Sequence, residues 1–550
     1  MPVGASVHAS IRRIPFSEMD DFSTLFRDYC TGFDALSSFY AGDYRAPAAR
    51  RAAVERAAAH ERDRDTLADV LLEQNERWGL PQGVRDHIEA LRRSGSAAVV
   101  TGQQVGLLTG PLYTILKTVS TIQLAEQLSA ETGRDVVPVF WLGGEDHDFE
   151  EISKVSMLRR NEPVEVRYVV SDAGSGGNVG PVGRIELNEE VERIVGELED
   201  VLPPTDFRDE VMQVVRTSYR SGTTFSDAFA RMLRALFPNA GLVIIDSDDV
   251  RLKRLAAPLY KKEIDDAEHV AELVRKTSAT LADSYHSQVH VRPSNLFLIN
   301  ERGRFPLDLD DGVFRLRDQD ERYTRAELHE LLDEAPDRFS PNVVLRPLTQ
   351  DLLLPTALYV AGPSEIAYFA QYGDVYDWAG IPMPLVYPRA SVSIVESKVS
   401  KVLEKYGLTV GDVGEDLDRL FQRVVVDAMD VDVDEVFSDA GRHLHEAVNA
   451  VKGPLEEIDR TLSGAAEATR KAFMEEFDKL KAKAVRLEKK NHDVVRDQLE
   501  KAQSNLYPAG VLQERAISIL YFVNKYSLDL IGALLDNVST DTTEHQIVEL

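Results

Sequence analysis

Four ionisable side chains crowd into the residues that directly follow an apolar run of strand length. The run VVPVFWLGG (136–144) precedes Glu145, Asp146, His147 and Asp148. Such crowding shifts pKa values and marks candidate functional sites. His147, between two acids, is a candidate general base for an amine nucleophile. The carboxylates could instead bind Mg²⁺, which prefers oxygen ligands, or form the acidic N-terminus of a helix; we assign no metal from the sequence.

A glycine-rich loop lies between a second apolar run and a helical segment, in TGQQVGLLTGPLYTILK (101–117). Backbone N–H groups at the N-terminus of such a helix attract phosphate or carboxylate. The residues that we expect to bind an anionic ligand here are Gln103, Gln104, Thr109, Gly110, Tyr113 and Lys117. The spacing matches neither the dinucleotide fingerprint nor the P-loop. A tight turn that needs glycine for positive φ therefore remains an alternative explanation.

A third group of candidates lies in LRPLTQDLLLPTALYVAGPSEIAYFAQ (345–371) and in MPLVYPR (383–389). The planar guanidinium groups of Arg346 and Arg389 suit carboxylates and phosphates. Gln350, Gly362 and Glu365 are further candidate binding residues in the same stretch. Each arginine, taken alone, could equally form a surface salt bridge.

The elements around these motifs predict an α/β fold with a parallel sheet. A strand at 97–102, a helix at 113–132 and a strand at 136–144 form a βαβ unit. Another apolar strand begins after Gly241 and is followed by a helix. We expect residues 1–394 to form a Rossmann-like core, with insertions near 160–235 and 265–340. Its N-terminal region should be helical, including one Ala- and Arg-rich helix from Pro47 to about Ala68.

The character of the chain changes at about residue 395, where glycine becomes scarce and Glu and Lys abundant. Apolar residues then recur in a heptad pattern, which predicts a helical coiled coil over 395–507 that serves as a dimerisation arm. The positions are Phe473, Phe477, Leu480, Ala484, Leu487, Asn491 and Val494, of which Asn491 is the one polar residue. A helix near 398–450 could pair back against this one. We expect 508–550 to supply a C-terminal helix that returns to the core.

Composition excludes several functional classes. The 550 residues include 63 Lys and Arg and 92 Asp and Glu, a net charge of −29, which disfavours nucleic acid and anionic lipid as partners. Cys30 is the one cysteine, so a cysteine handled here would be a substrate. The sequence shows no signal peptide and no apolar run of membrane-spanning length, and we expect a cytoplasmic protein.

Taken together, the motifs resemble the BshC family, the cysteine-adding enzymes of bacillithiol biosynthesis. TGQQVGLLTGPLYTILK followed by PVFWLGGEDHDFEEI is similar to the most characteristic stretch of that family. The segments 345–371, 383–389 and LYPAGVLQER (506–515) are similar to other family segments, in the same order. The resemblance implies a nucleotidyl-transferase-like Rossmann core with inserted connecting segments and a C-terminal coiled coil that makes a homodimer.

The resemblance also implies an activity. The enzyme would be a carbon–nitrogen ligase that joins cysteine to the amine of glucosaminyl-malate, with ATP as the expected co-substrate. By position, His147 with Glu145, Asp146 and Asp148 would deprotonate or orient the amine, and Arg346 and Arg389 would hold malate carboxylates or phosphates. The chain lacks the HIGH- and KMSKS-type loops of class I aminoacyl-tRNA synthetases. The activated cysteine carboxylate could therefore be an acyl phosphate as well as an adenylate. Two alternatives are a nucleotidyl or phosphoryl transferase acting on another small molecule and a non-catalytic dimeric scaffold.

Overall fold

The computed structural model describes residues 10–169, 178–286, 291–428, 433–540 and 543–550, with side chains described throughout these ranges except at 425–428, 433 and 488–491. The described strands are β1 (Ser10–Pro15), β2 (Ala97–Gln104), β3 (Val136–Gly143), β4 (Lys154–Arg159), β5 (Glu162–Arg167), β6 (Val243–Asp246), β7 (Leu296–Asn300), β8 (Gly303–Asp310), β9 (Val313–Leu316), β10 (Arg322–Tyr323), β11 (Phe339–Pro341), β12 (Thr356–Ala361), β13 (Leu385–Pro388), β14 (Val392–Val395) and β15 (Glu544–Glu549).

The described helices are α1 (Thr24–Thr31), α2 (Pro47–Ala59), α3 (Arg64–Trp78), α4 (Gln82–Arg92), α5 (Tyr113–Thr132), α6 (Phe149–Ile152), α7 (Glu190–Val201), α8 (Arg208–Ser218), α9 (Phe225–Leu236), α10 (Val250–Ala282), α11 (Arg325–Glu334), α12 (Leu345–Leu353), α13 (Pro363–Phe369), α14 (Gly373–Ala379), α15 (Ser397–Tyr406), α16 (Val410–Val413), α17 (Leu417–Ala428), α18 (Val433–Ile458), α19 (Thr461–Leu506), α20 (Gln513–Ala516), α21 (Ile519–Tyr526) and α22 (Asp529–Asn537). No helix in the described ranges is both long and apolar enough to cross a membrane.

A five-stranded parallel sheet with the order β13-β12-β2-β3-β6 forms the centre of the first unit, which comprises Met1–Val395 and Val511–Leu550. The parallel sheet and the βαβ unit predicted from the sequence are confirmed. The chain runs from β2 outward to β3 and β6, and then adds β12 and β13 on the other side of β2. The strand order therefore reverses between β2 and β12, which is where open α/β sheets form their ligand crevice.

Local sequence explains why these elements form where they do. Most of β2 and β3 is buried, as expected for parallel strands that carry helices on both faces. Helix α5 ends at Gly133, whose φ of 67° is the left-handed conformation that glycine adopts without strain. The prediction of a single helix from Pro47 to about Ala68 is wrong. This region forms two helices, α2 and α3, because the Asp63 side chain accepts the Thr66 N–H and caps a new helix.

Three other sheets belong to the same unit. Strands β4 and β5 form an antiparallel pair, and β10-β9-β8-β7-β11 form an antiparallel five-stranded sheet. The five-stranded antiparallel sheet lies at the insertion suggested near 265–340, whereas β4 precedes the insertion suggested near 160–235 and only β5 falls inside it. Strand β15 lies between β1 and β14, so residues near both ends of the chain share one sheet. The sequence did not indicate β1 or β15, since only a C-terminal helix was expected after residue 508.

The second unit, Glu396–Gly510, is helical, and its longest element is α19. The C-terminal coiled coil that the sequence predicted is present. Helices α18 and α19 run antiparallel, and the rings of Phe437 and Phe477 lie 4.9 Å apart between them. Asn491, expected in the heptad seam, lies outside the described side chains.

Part of the heptad pattern faces away from α18. Four apolar side chains of α19 spaced seven residues apart are between 42% and 55% exposed in this chain, namely Phe473, Leu480, Leu487 and Val494. Residues seven apart lie on nearly the same side of a helix, so these four form one continuous row. We call this row the apolar stripe of α19.

Candidate functional site

A cavity of about 740 Å³ opens at the carboxyl ends of the central strands. Its walls include residues at the end of β2, after β3, after β12 and after β13, on both sides of the point where the strand order reverses. The volume falls within the range of roughly 300–1,000 Å³ that is usual for small-molecule sites. Fold topology therefore places the cavity where a substrate crevice is expected.

Most of the residues singled out from the sequence line this cavity. They are Gln103, Gln104, Tyr113, Lys117, Glu145, Asp146, His147, Arg346, Gly362, Glu365 and Arg389. Four others do not line it. Thr109 and Gly110 belong to the turn before α5, Asp148 caps α6 through the Glu151 N–H, and the buried Gln350 amide bonds to Asp351.

A buried ion pair links α5, which follows β2, to α13, which follows β12. The Lys117 ammonium donates to the Gly102 carbonyl at 2.9 Å and lies 2.5 Å from the Glu365 carboxylate. Glu365 also accepts the Gly362 N–H at 2.7 Å and the Tyr359 hydroxyl at 2.7 Å. Burial raises the pKa of Glu365, but Lys117 and these donors outweigh it, and the net pKa is lowered. Lys117 is therefore held against Glu365 at the cavity floor.

Three arginines give one side of the cavity a positive character. Arg389 donates to the Glu514 carboxylate at 2.6 Å, and its guanidinium lies 5.7 Å from the centre of the Tyr113 ring. Arg346 donates to Gln350 at 3.1 Å. Among the described residues, no carboxylate lies within ion-pair distance of Arg346 or of the exposed Arg515. These two guanidinium groups are therefore available to an anionic ligand.

The acidic motif after β3 forms another part of the cavity wall. Glu145 is buried and forms an ion pair with the buried Lys253, while the Ser247 hydroxyl donates to its other oxygen at 2.7 Å. Burial lowers the pKa of Lys253 to about 7. Lys253 also donates to the Phe339 carbonyl at 3.0 Å, so Glu145 is tied to two elements beyond its own loop. This arrangement makes Glu145 a fixed anion in the cavity wall.

Asp146 is surrounded by donors. Its carboxylate accepts the Gln104 amide at 2.8 Å, the His147 backbone N–H at 2.7 Å and an Arg304 N–H at 3.3 Å. Burial raises the pKa of Asp146, but His147, Arg304 and Gln104 together hold it well below its usual range. A carboxylate stabilised in this way is a weak base. Glu151, by contrast, lines the same cavity, and its pKa is raised, first by burial.

The three carboxylates suggested for Mg²⁺ do not share a binding point. Glu145 pairs with Lys253, Asp146 with Arg304 and Gln104, and Asp148 caps α6. Within the part of the chain that is described, no three His, Cys, Asp or Glu side chains are grouped as metal ligands. The arrangement therefore does not fit a magnesium ion bound by these three acids.

Several residues of the site carried no signal in the sequence. Arg292, Phe297, Arg304 and Asn342 line the cavity from the inserted segment and the chain that follows it. They follow no motif of the kind found after β2 and β3, and only the fold brings them to the crevice. Arg515 lies in a segment that resembled the family, and that signal could have identified it.

Comparisons with known proteins agree with the fold and with the motifs. Residues 10–390 match the model of the bacillithiol biosynthesis BshC N-terminal Rossmann-like domain, and residues 392–550 match the BshC C-terminal coiled-coil domain. A Salinibacter ruber protein named "Putative cysteine ligase BshC" is 54% identical over 538 residues, which is 98% of each chain. Proteins with the same name from Chloroherpeton thalassium and Chlorobaculum tepidum are 36% and 33% identical, over 98% and 96% of this chain and 99% and 97% of their own. The chain belongs to the BshC family.

Proposed function

We propose that this chain is an ATP-dependent amide-forming ligase that joins the carboxyl group of L-cysteine to the amine of glucosaminyl-malate, giving bacillithiol. The name given to its relatives, cysteine ligase, supports cysteine as a substrate, and the matching family of bacillithiol biosynthesis proteins supports the pathway. ATP is included because forming an amide from a free carboxylate is uphill. These substrates are metabolites of the cytoplasm, which we propose as the location.

The charge of the cavity wall carries this proposal. Six cationic side chains and four carboxylates line the cavity, a surplus of two positive charges, whereas the whole chain has a net charge of −29. An acidic protein repels anions unless it gathers cations locally. Malate and the phosphates of ATP are both polyanions, so the surplus matches the proposed substrates.

The two sides of the cavity suit the two kinds of group in the reaction. We assign the malate carboxylates or the ATP phosphates to Arg346 and Arg515, which have no carboxylate partner among the described residues. We assign the amines to the acidic side. Glu151, with its raised pKa, is suited to take a proton from the acceptor amine.

The proposal is tested by incubating the purified protein with ATP, Mg²⁺, cysteine and glucosaminyl-malate and analysing the mixture by mass spectrometry. We expect a product heavier than the acceptor by one cysteinyl residue, formed together with ADP or AMP. Reactions that lack cysteine, or that contain serine in its place, are the controls. Unchanged substrates and ATP with folded protein would contradict the proposal.

A matched pair of variants tests the assignment of the cationic side. Arg346→Ala should raise the KM for the acceptor or for ATP by at least tenfold, because a charge-assisted contact is lost. Arg85→Ala removes a guanidinium that pairs with Glu76 and is not part of the cavity wall. Equal kinetic constants for the two variants would refute the assignment.

We further propose that the protein is a homodimer in which a second copy covers the apolar stripe of α19. Four large apolar side chains in one row, all at least 42% exposed in this chain, are what an unpaired coiled-coil face presents. The chain itself offers the repeat needed for pairing, since the four positions are spaced by seven residues.

Analytical ultracentrifugation tests the dimer. Leu480→Glu combined with Leu487→Glu places charges in the row and should convert the dimer to a monomer. Lys483→Glu changes the net charge of α19 by the same amount on an exposed position and should leave the dimer intact. A double variant that still sediments as a dimer would refute this interface.

A further inference from the structure

Arg304 of β8 is buried, and its guanidinium is fixed from several directions. Its Nε donates to the Ser340 hydroxyl at 2.8 Å, and Nη2 donates to the Pro341 carbonyl at 2.9 Å. The group lies 3.7 Å from the centre of the Phe297 ring. These contacts leave Nη1 directed at Asp146 and His147.

Two neighbours of His147 Nδ1 bear on which imidazole nitrogen carries the proton. Arg304 Nη1 lies 3.0 Å from Nδ1, and Asp146 Oδ1 lies 3.3 Å from it. Asp146 Oδ1 already accepts the His147 backbone N–H at 2.7 Å, and the contact with Arg304 is the shorter of the two. A guanidinium has only donors, so the imidazole nitrogen that faces it must present a lone pair. A neutral imidazole has one N–H, and that N–H must then be on Nε2. The shorter contact with Arg304 thus favours the Nε2–H tautomer of His147, whose ring lines the cavity.

We propose that His147 donates a hydrogen bond through Nε2–H to the reacting carbonyl oxygen of the substrate, and that Arg304 is the positioning residue that keeps it in this form. The inference rests on the proposed function, because that function supplies the carbonyl. It replaces the general-base role suggested by the sequence: Nδ1 uses its lone pair to accept from Arg304, and Nε2 has none to offer.

The role follows from the charge that develops in amide formation. The acceptor amine attacks the activated cysteine carboxyl carbon, a C–N bond forms, and the carbonyl π electrons move to oxygen. When they return, the C–O bond to the ATP-derived phosphate or adenylate leaving group breaks and that group takes the electron pair. The amine proton goes to Glu151. A neutral imidazole N–H aimed at the oxygen stabilises its transient negative charge.

Nitrogen NMR tests the tautomer without requiring turnover. Long-range proton–nitrogen spectra of protein labelled in its 12 histidines separate protonated from unprotonated ring nitrogens, and the missing signal in His147→Gln assigns His147. We expect an unprotonated Nδ1 and a protonated Nε2. Arg304→Met should abolish this preference. A protonated Nδ1 in the unmodified protein would overturn the inference, and an unchanged tautomer in Arg304→Met would overturn the role of Arg304.

Two substitutions separate donor from base once turnover is measured. The amide N–H of Gln occupies roughly the place of Nε2–H, whereas that of Asn occupies roughly the place of Nδ1. We expect His147→Gln to retain activity within about tenfold and His147→Asn to lose about 10²–10³-fold, the usual effect of removing one such donor. Equal losses in the two variants, with tryptophan fluorescence showing both folded, would refute the donor role. Absence of turnover in the unmodified protein, with the tautomer as expected, would contradict the proposed function while supporting the arrangement.

Discussion

Replacing Glu514 by leucine tests whether the buried ion pair with Arg389 supports the cavity wall. The side chains of Arg389 and Glu514 are only 4% and 1% exposed, and the pair distance is 2.6 Å. Glu514 also accepts the Val392 N–H at 2.8 Å and the Ser391 hydroxyl at 3.1 Å. Leucine has a similar volume and no charge, so the substitution leaves a buried guanidinium unpaired.

The expected cost follows from these contacts. Removing one partner of a buried pair destabilises a protein by about 3–5 kcal/mol. About 1–3 kcal/mol of this comes from the N–H and hydroxyl left without an acceptor. Adding Arg389→Met to Glu514→Leu removes the unpaired buried charge. We expect the double variant to recover about 2 kcal/mol of the free energy of unfolding. Asp135→Asn, in an exposed pair with Arg93, is the control and should cost less than about 1 kcal/mol.

Urea unfolding followed by tryptophan fluorescence measures these differences in one part of the molecule. The three tryptophans, Trp78, Trp141 and Trp378, all belong to the unit that contains the pair. The helical unit therefore does not contribute to the signal, which simplifies the two-state treatment. A loss below about 1 kcal/mol for Glu514→Leu, or a double variant no more stable than the single one, would refute the reasoning.

Three further predictions concern pH, thiol reactivity and strand packing. Burial lowers the pKa of His545 to about 4, so between pH 6.5 and 4 the unfolded chain binds more protons and stability falls as pH falls. The loss should reach about 2 kcal/mol at pH 5, and His545→Gln should remove it in urea unfolding at pH 7 and 5. Burial raises the pKa of the Cys30 thiol to about 12, so a disulfide reagent should modify the native protein about 10³-fold more slowly than the unfolded protein; similar rates would contradict this. Gly143→Ala places a Cβ 3.0 Å from the Gln103 carbonyl oxygen and should cost about 1–3 kcal/mol with reduced activity, whereas Gly196→Ala, in open space on a helix, should not destabilise.

The central sheet could be predicted because buried parallel strands are continuous apolar runs. Strands β2 and β3 are of this kind, and each is followed by polar residues whose side chains could bind a ligand or transfer a proton. The carboxyl ends of parallel strands share one edge, so the motifs after them had to meet. For the same reason most of the suggested residues line one cavity, although the sequence could not show that Thr109 and Gly110 turn away from it.

The partners of those residues could not be predicted, because they come from distant parts of the chain. Lys253 lies on α10, more than 100 residues after Glu145, and Arg304 lies on a strand of the inserted sheet. Nothing in the sequence around either residue distinguishes it from a solvated surface cation. Only the packing of α10 and of the inserted sheet places these two cations, out of the 63 in the chain, beside the acidic motif.

Lys253 and Arg304 change the function that the acidic motif can serve. Read alone, Glu145, Asp146 and Asp148 resemble a cation site, since free carboxylates prefer hard metals or ammonium groups. In the fold, Lys253 and Arg304 neutralise the first two, and Asp148 is used as a helix cap. The cationic side chains that remain without a carboxylate partner then set the character of the cavity. A site that appears anionic in sequence thus carries cations without a carboxylate partner among the described residues, and on this basis we propose that it selects anionic substrates.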